Sequence, residues 1–244
     1  MSKRQRGSIP PFTRVEHDTK QQSAYRQIRD AMMTGGFRPG QRVSIRAVAG
    51  AMGISAMPVR EAMWRLEAQG ALVLLPERAF AVPGLNKGAL RELRDVRLAL
   101  EGLATERAAE NLEPGELDRI SDIREQMDDA ARAEEHRAYL NLNQAFHFAI
   151  YAGAKSPLLT DMIESLWLRI SPYLNLIFDD KGHRKRSSDD HRKAEEALLE
   201  RDGEAARRAI ESDISGGLED LFSRLPETAP DPGGGGEWTG GDSA

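Results

Sequence analysis

Arg46, Arg60 and Arg78 are the side chains of this chain best suited to chemistry with a polyanion. A guanidinium can pair bidentately with a guanine edge or hold a phosphate. Asn143 and His147 offer a second kind of chemistry, because residues four apart leave one face of a helix a turn from each other, here an amide beside an imidazole. His191 and Asp213 lie on later helices and add another imidazole and a carboxylate.

The elements that must position the arginines are legible. Residues 43–70, V-S-I-R-A-V-A-G-A-M-G-I-S-A-M-P-V-R-E-A-M-W-R-L-E-A-Q-G, read as two short helices around a glycine turn, the layout of a helix-turn-helix. Ile45, Val48, Ala49 and Met52 recur at helical spacing, Gly53 can take positive φ, Ser55 is placed to cap a second helix, and Pro58 falls in its first turn. That helix turns Val59, Ala62, Met63 and Leu66 inward and leaves Ala56, Met57, Arg60 and Arg65 at its start or outer face. A helix start of this kind enters a major groove. The pattern alone also fits any helical protein, so the flanking segments carry weight. A-L-V-L-L-P-E-R-A-F-A-V-P, residues 71–83, reads as a two-stranded wing tipped by Pro76-Glu77-Arg78, and a helix from about Gln21, with Ile28, Ala31 and Met32 inward, precedes the pair.

Charge divides the chain. Residues 1–85 carry 13 Lys/Arg and 6 Asp/Glu, the remainder 21 and 33, a contrast hidden in the overall net charge of −5. A basic first part beside an acidic second part suits a module that meets a polyanion joined to one that does not. No cysteine is present, no apolar run reaches membrane-spanning length, and the first residues lack the apolar stretch of a secretory signal. The expectation is a cytoplasmic protein with no membrane partner.

The organisation expected is a disordered basic arm over 1–18, a winged helix-turn-helix over 19–84, a helical domain over 85–225 and a disordered Gly/Pro-rich tail over 226–244 that leaves Trp238 exposed. Helices are expected at roughly 87–111, 115–133, 135–153, 157–180, 185–200 and 203–224. The fold class is mainly α: a winged helix-turn-helix followed by an antiparallel bundle of six or seven helices.

S-A-M-P-V-R-E-A-M-W-R-L-E-A-Q-G resembles the recognition-helix signature of GntR-type bacterial transcription regulators, in which Ser-Arg-x-Pro-Val-Arg-Glu-Ala-Leu is typical. L-R-D-V-R-L-A-L-E-G-L-A at 93–104 and N-Q-A-F-H-F-A-I at 143–150 resemble the FCD-type effector-binding domain of the FadR subgroup. The resemblance spans about residues 20–225. It implies a homodimeric, ligand-responsive repressor or activator of metabolic genes that binds a palindromic double-stranded operator and responds to a small organic acid; a repressor is the expectation for this chain. It also assigns DNA contact to Arg46, Ser55, Arg60 and Arg78. Two departures stand out: Ala56 and Met57 replace the family's Arg and Thr, and Ala79 replaces the wing glycine. Loss of an Arg–base contact removes about 1–3 kcal/mol of discrimination. The operator is therefore expected to depart from the usual half-site, with Ala56 or Met57 against a thymine methyl.

In the same family an Asp or Asn and three histidines hold a divalent metal inside the bundle. The matching residues are Asn143, His147, His191 and Asp213, the last in place of the third histidine. This N/O set suits Zn, Ni or Mn. The alternative is a site without metal, its histidines merely lining a pocket. Arg97 matches a position facing the effector, where it would hold a carboxylate; a surface pair with Glu101 is the competing reading. His136 and His183 are expected to be solvated, Trp167 and Tyr173 to be core or pocket wall. A metal-dependent hydrolase or lyase and a ligand-independent architectural DNA binder are the competing functions. The first lacks a nucleophile or general-base constellation, so no enzyme is expected.

Overall fold

The computed structural model describes residues 20–177 and 180–228. The arm expected over 1–18 and Trp238 lie outside them. The chain begins with α1 (Lys20–Met33), β1 (Arg42–Val43), α2 (Ile45–Met52), α3 (Ala56–Ala68), β2 (Val73–Leu74) and β3 (Phe80–Ala81). Six longer helices follow: α4 (Lys87–Asn111), α5 (Pro114–Arg132), α6 (His136–Gly153), α7 (Pro157–Leu174), α8 (Lys181–Leu199) and α9 (Gly203–Phe222). The architecture is mainly helical, as the residue patterns predict.

The first unit closes around Ile28 and Met32 of α1, Val59, Met63 and Leu66 of α3, and Phe80 of β3, all buried. These are the inward positions the helical spacing predicts for α1 and α3. The wing differs from expectation by one strand. β1 joins it, giving the antiparallel order β1-β3-β2 with Val43 opposite Phe80 and Leu74 opposite Phe80 on the other side. Two residues of strand carry no readable period, so only pairing reveals β1.

The bundle is built by capped helices. Asn86 caps α4 by accepting from Ala89 N at 2.8 Å, Asp202 caps α9 by accepting from Ala205 N at 2.9 Å, and Glu113 and Glu116 form a capping box on α5. Phe146, Ile150, Ile163, Trp167, Leu198 and Ile210 fill its interior.

The helix expected over 157–180 ends at Leu174, and the one expected from 185 starts at Lys181. Pro172 deprives the last turn of α7 of one N–H, and Asp180 starts α8 by accepting from Gly182 N at 2.8 Å and His183 N at 3.1 Å. Residues 226–228, expected in the tail, return to the start of α4: Lys87 N donates to Pro226 O at 3.2 Å and Lys87 Nζ pairs with Glu227 at 2.7 Å.

Candidate functional site: the helix-turn-helix face and a buried histidine pocket

Gly53 ends α2 with φ 64°, its N–H bonded back to the carbonyls of Ala49 and Gly50, and so swings the chain into α3. Ser44 caps α2, accepting from Ala47 N at 3.3 Å. Ser55 occupies the N-cap position of α3, but its hydroxyl makes no capping bond. The capping role expected for Ser55 is thus absent, and the exposed hydroxyl stands at the helix start. Arg46, Met57, Arg60 and Arg78 are exposed, with Ala56 half-buried between them. Arg65, expected to be merely solvated, lays its guanidinium over the Tyr25 ring at 3.8 Å from the centroid.

Exposed apolar surface on α3 is concentrated at Met57, 60 % exposed, and Trp64, 45 % exposed. Trp64 meets Phe80 of the wing edge-on, ring centroids 5.3 Å apart, and so ties α3 to β3. At the tip of the wing Arg78 adopts φ 60°, a left-handed conformation that favours glycine. The turn is closed by Leu75 N to Ala79 O at 2.8 Å and Arg78 N to Leu75 O at 2.9 Å.

In the bundle, α6, α8 and α9 bring His147, His191 and Asp213 together, with one donor atom from each within 4.8 Å of the others. His147 Nε2 lies 3.3 Å from Asp213 Oδ2, and His191 Nε2 lies 3.4 Å from Asp213 Oδ1. Asn143, one turn before His147, lines the same cavity with Arg97, Tyr139, Trp167 and Ser187. Ser187 Oγ donates to Asp213 Oδ1 at 2.6 Å.

A second layer holds this cluster. Arg97 donates Nε and Nη2 to the two oxygens of Glu101 at 2.6 and 3.2 Å. Glu101 Oε2 also accepts from Trp167 Nε1 at 2.9 Å and from the Tyr151 hydroxyl. His147 Nδ1 lies 3.0 Å from that same hydroxyl. The Arg97–Glu101 pair is therefore real but buried, Arg97 being 5 % exposed and Glu101 fully enclosed; a surface pair it is not.

The hydrogen-bond network decides the tautomer of His147. Since the Tyr151 O–H points at Glu101, Nδ1 of His147 must donate to the Tyr151 oxygen, and Nε2 is left as an acceptor. Burial then pushes the imidazolium form of His147 down, against the pull of Asp213. Burial opposes ionisation of Asp213 too, yet the neighbouring His191 and His147 hold its carboxyl well below the usual range. With His147 neutral, the lone pair on its Nε2 faces Asp213 Oδ2 at 3.3 Å, and a proton or a metal ion is what joins the two. Two acceptors at that separation repel unless a cation lies with them. His147, His191 and Asp213 therefore fit a divalent metal, in donor type and in the Tyr151–Glu101 support behind His147. Among the described residues His191 Nδ1 has no hydrogen-bond partner, so that ring lacks the outer support His147 has.

His183 corrects another expectation. It is half-buried, bonds Asp220 Oδ2 through Nδ1 at 2.8 Å and lines the cavity, in place of the solvated position its basic loop suggests. Glu101, Tyr151 and Ser187 also belong to the site; each sits four residues from a candidate residue, Arg97, His147 and His191 in turn, and that is the only signal the chain offers.

α7 touches both units. Trp167 and Leu174 line the cavity, while other α7 residues and its cap hold the winged helix: Tyr173 Oη donates to Pro83 O and accepts from Leu85 N, both at 2.7 Å, and Asn175 Nδ2 donates to Gly35 O at 2.7 Å. Arg169 Nε donates to Gln69 O at 3.2 Å, and Glu164 pairs with Arg29 at 3.4 Å. Gly35 and Gly70, both at positive φ, leave room for Asn175 and Arg169, whose atoms would stand 2.7 Å from an added Cβ.

The gntR family of bacterial regulatory proteins matches residues 20–82, and the FCD domain matches residues 92–216. The chain belongs to the GntR family of regulators with an FCD domain. It is 32 % identical over 171 residues to the HTH-type transcriptional regulator McbR of Escherichia coli (strain K12), covering 70 % of this chain and 77 % of that protein. It is 27 % identical over 206 residues to the HTH-type transcriptional regulator YdhC of Bacillus subtilis (strain 168), covering 83 % and 91 %. The solved structure of E. coli McbR/YncC superposes with a TM-score of 0.79 at 28 % identity, covering 85 % of this chain and 99 % of that one. A GntR regulator from Rhodococcus sp. RHA1 shares the fold, with a TM-score of 0.71 at 19 % identity over 85 % of this chain and 99 % of that one. This GntR-family protein is a DNA-binding transcription regulator, which sets aside the metallohydrolase and lyase readings. Among its described residues no helix is long and apolar enough to cross a membrane.

Proposed function

We propose that this regulator binds a palindromic operator as a homodimer in the cytoplasm, acts as a repressor, and is controlled by a divalent metal together with a small carboxylate effector in the FCD cavity. The observation that carries ligand control is α7, one helix whose residues line the cavity and hold the winged helix through Tyr173 and Arg169. A change in what the cavity holds bears on the same rigid element that orients the DNA-binding unit.

His147, His191 and Asp213 would hold the metal, with Asn143 beside them; the facing acceptors of His147 and Asp213 support this. A bound ion would supply a Lewis-acidic centre with positions open to carboxylate oxygens. Arg97 contributes positive charge to the cavity wall, although two of its donors are committed to Glu101. An effector carboxylate would share Arg97 with Glu101 rather than own it.

On the DNA side, Arg46, Ser55, Arg60 and Arg78 would make the contacts; their exposure supports this, and Ala56 and Met57 give the start of α3 an apolar surface. An apolar contact reads a thymine methyl, so the preferred half-site is richer in A·T at that position than the family's usual one.

Two measurements test the proposal. Protein purified without chelator carries about one metal ion per chain by mass spectrometry, and His147→Ala loses it; unmutated protein without stoichiometric metal ends the metal reading. Selection from a random DNA pool yields a palindrome that departs from the usual half-site, and recovery of the unmodified family sequence refutes the reading of Ala56 and Met57.

A further inference from the structure

We propose that the groove beside the middle of α9 is the route by which the divalent cation reaches His147, His191 and Asp213. The inference rests on the metal reading above and adds to it the path and the residues that line it.

Two cavities adjoin at the cluster. The inner one, about 50 Å³, contains His147 and Asp213 together with Arg97 and Asn143. The outer one, about 290 Å³, runs along Asp190, Ser212, Ser215 and Glu219, and Ser187 and Asp213 belong to the walls of both. Exposure points the same way: the His147 and His191 side chains are 2 % and 0 % exposed, whereas Asp213 retains 11 %. The cluster is sealed behind its histidines and meets solvent at its carboxylate.

The lining suits a cation and not an organic anion. Asp190, Asp213 and Glu219 face His183 and Arg186; Asp190 is paired with Lys193 at 2.8 Å, and Arg186 is already bound to both oxygens of Asp220 at 2.6 and 2.8 Å, so Asp213 and Glu219 remain in excess. An acidic groove raises the local concentration of cations, and serine hydroxyls can stand in for water during passage. Ser212 Oγ donates to Asp190 Oδ2 at 2.9 Å, which orients that carboxylate in the wall.

Gly216 and Gly217 supply the opening. A helix-interior glycine costs about 1 kcal/mol relative to alanine, and here neither position needs one. Among the described residues a Cβ on Gly216 would meet nothing within 4 Å, and one on Gly217 would make ordinary contacts with His183 at 3.5 Å and Ile177 at 3.8 Å. Their conformation is helical and does not call for glycine either. What the pair provides is an unfilled groove over Asp213.

The test loads metal-free full-length protein with zinc sulfate and then withdraws the ion with EDTA, following both steps in time and measuring the final zinc content. Gly216→Leu slows loading and extraction at least tenfold with unchanged final content, while Gly216→Ala behaves as the unmutated protein. Circular dichroism checks that the leucine variant folds, and Ser215→Leu repeats the blockade from the neighbouring position. Zinc uptake by the unmutated protein with equal rates in both leucine variants removes the route and leaves the metal site standing. Absence of zinc uptake by the unmutated protein removes both.

Discussion

Arg97 and Glu101 form a buried, two-pronged ion pair within α4, with Nε and Nη2 of the arginine on separate carboxylate oxygens at 2.6 and 3.2 Å. Breaking such a pair from one side strands a charge in the interior, which costs about 3–5 kcal/mol. Arg97→Ala is expected to lower the stability of the protein by that amount in urea unfolding, and the double variant Arg97→Met with Glu101→Met to recover only part of it, because the buried donors of Tyr151 and Trp167 then lose their acceptor. A single variant within about 1 kcal/mol of the unmutated protein would contradict the burial of an ionised pair.

Arg78 holds a left-handed conformation, φ 60°, at the tip of the wing. A non-glycine residue pays about 1–2 kcal/mol there. Arg78→Gly is expected to stabilise the protein by about 1 kcal/mol and to weaken operator binding at once, with the salt dependence of binding reduced by about one unit of slope. Stabilisation without loss of affinity would show that Arg78 does not meet DNA.

Tyr173 anchors the linker between β3 and α4, its hydroxyl bridging Pro83 O and Leu85 N at 2.7 Å each. Tyr173→Phe leaves the Leu85 N–H without its partner, at a cost of about 1–3 kcal/mol. Hydrogen exchange at the Leu85 amide is expected to accelerate about tenfold or more, a factor that about 1.4 kcal/mol supplies. Unchanged protection would mean that Tyr173 does not tether the winged helix.

In metal-free protein His147 and Asp213 set a pH dependence. Burial lowers the pKa of His147 from its ordinary 6.5, so below that value the unfolded chain binds a proton that the folded protein refuses. Asp213 adds stability above its ordinary 3.8 that is lost as pH falls, because burial is outweighed by the histidines that hold it ionised. Both effects have one sign. Urea midpoints are expected to stay level above about pH 6.5 and to fall progressively below it, and His147→Gln to flatten the upper part of that fall. A midpoint that rises on acidification would reverse the assignment.

The legible parts of this protein are those governed by local rules. The inward stripe Val59, Ala62, Met63 and Leu66 follows from helical period, and α4 spans 87–111, the bounds expected of it. β1 is hidden because two residues hold no period, and the end of α7 is hidden because Asp180 and Pro172 act through caps and missing donors within a continuous apolar pattern. His147, His191 and Asp213 are recognisable from matched positions along the chain. That they stand within one cluster is a property of how α6, α8 and α9 pack.

The sequence by itself determined the helices, the turn at Gly53, the charge division and the family, since each depends on neighbours a few residues apart or on matched motifs. Only the tertiary structure decided which charges are buried. Arg97 and Glu101 look like a surface pair four residues apart, and His183 looks like one more cation in a basic loop. Enclosure by α6, α7 and α9 turns the first into an interior ion pair that also serves Tyr151 and Trp167, and the second into a wall of the cavity. Solvation is set by what packs around a group, and long-range packing is not written in local spacing.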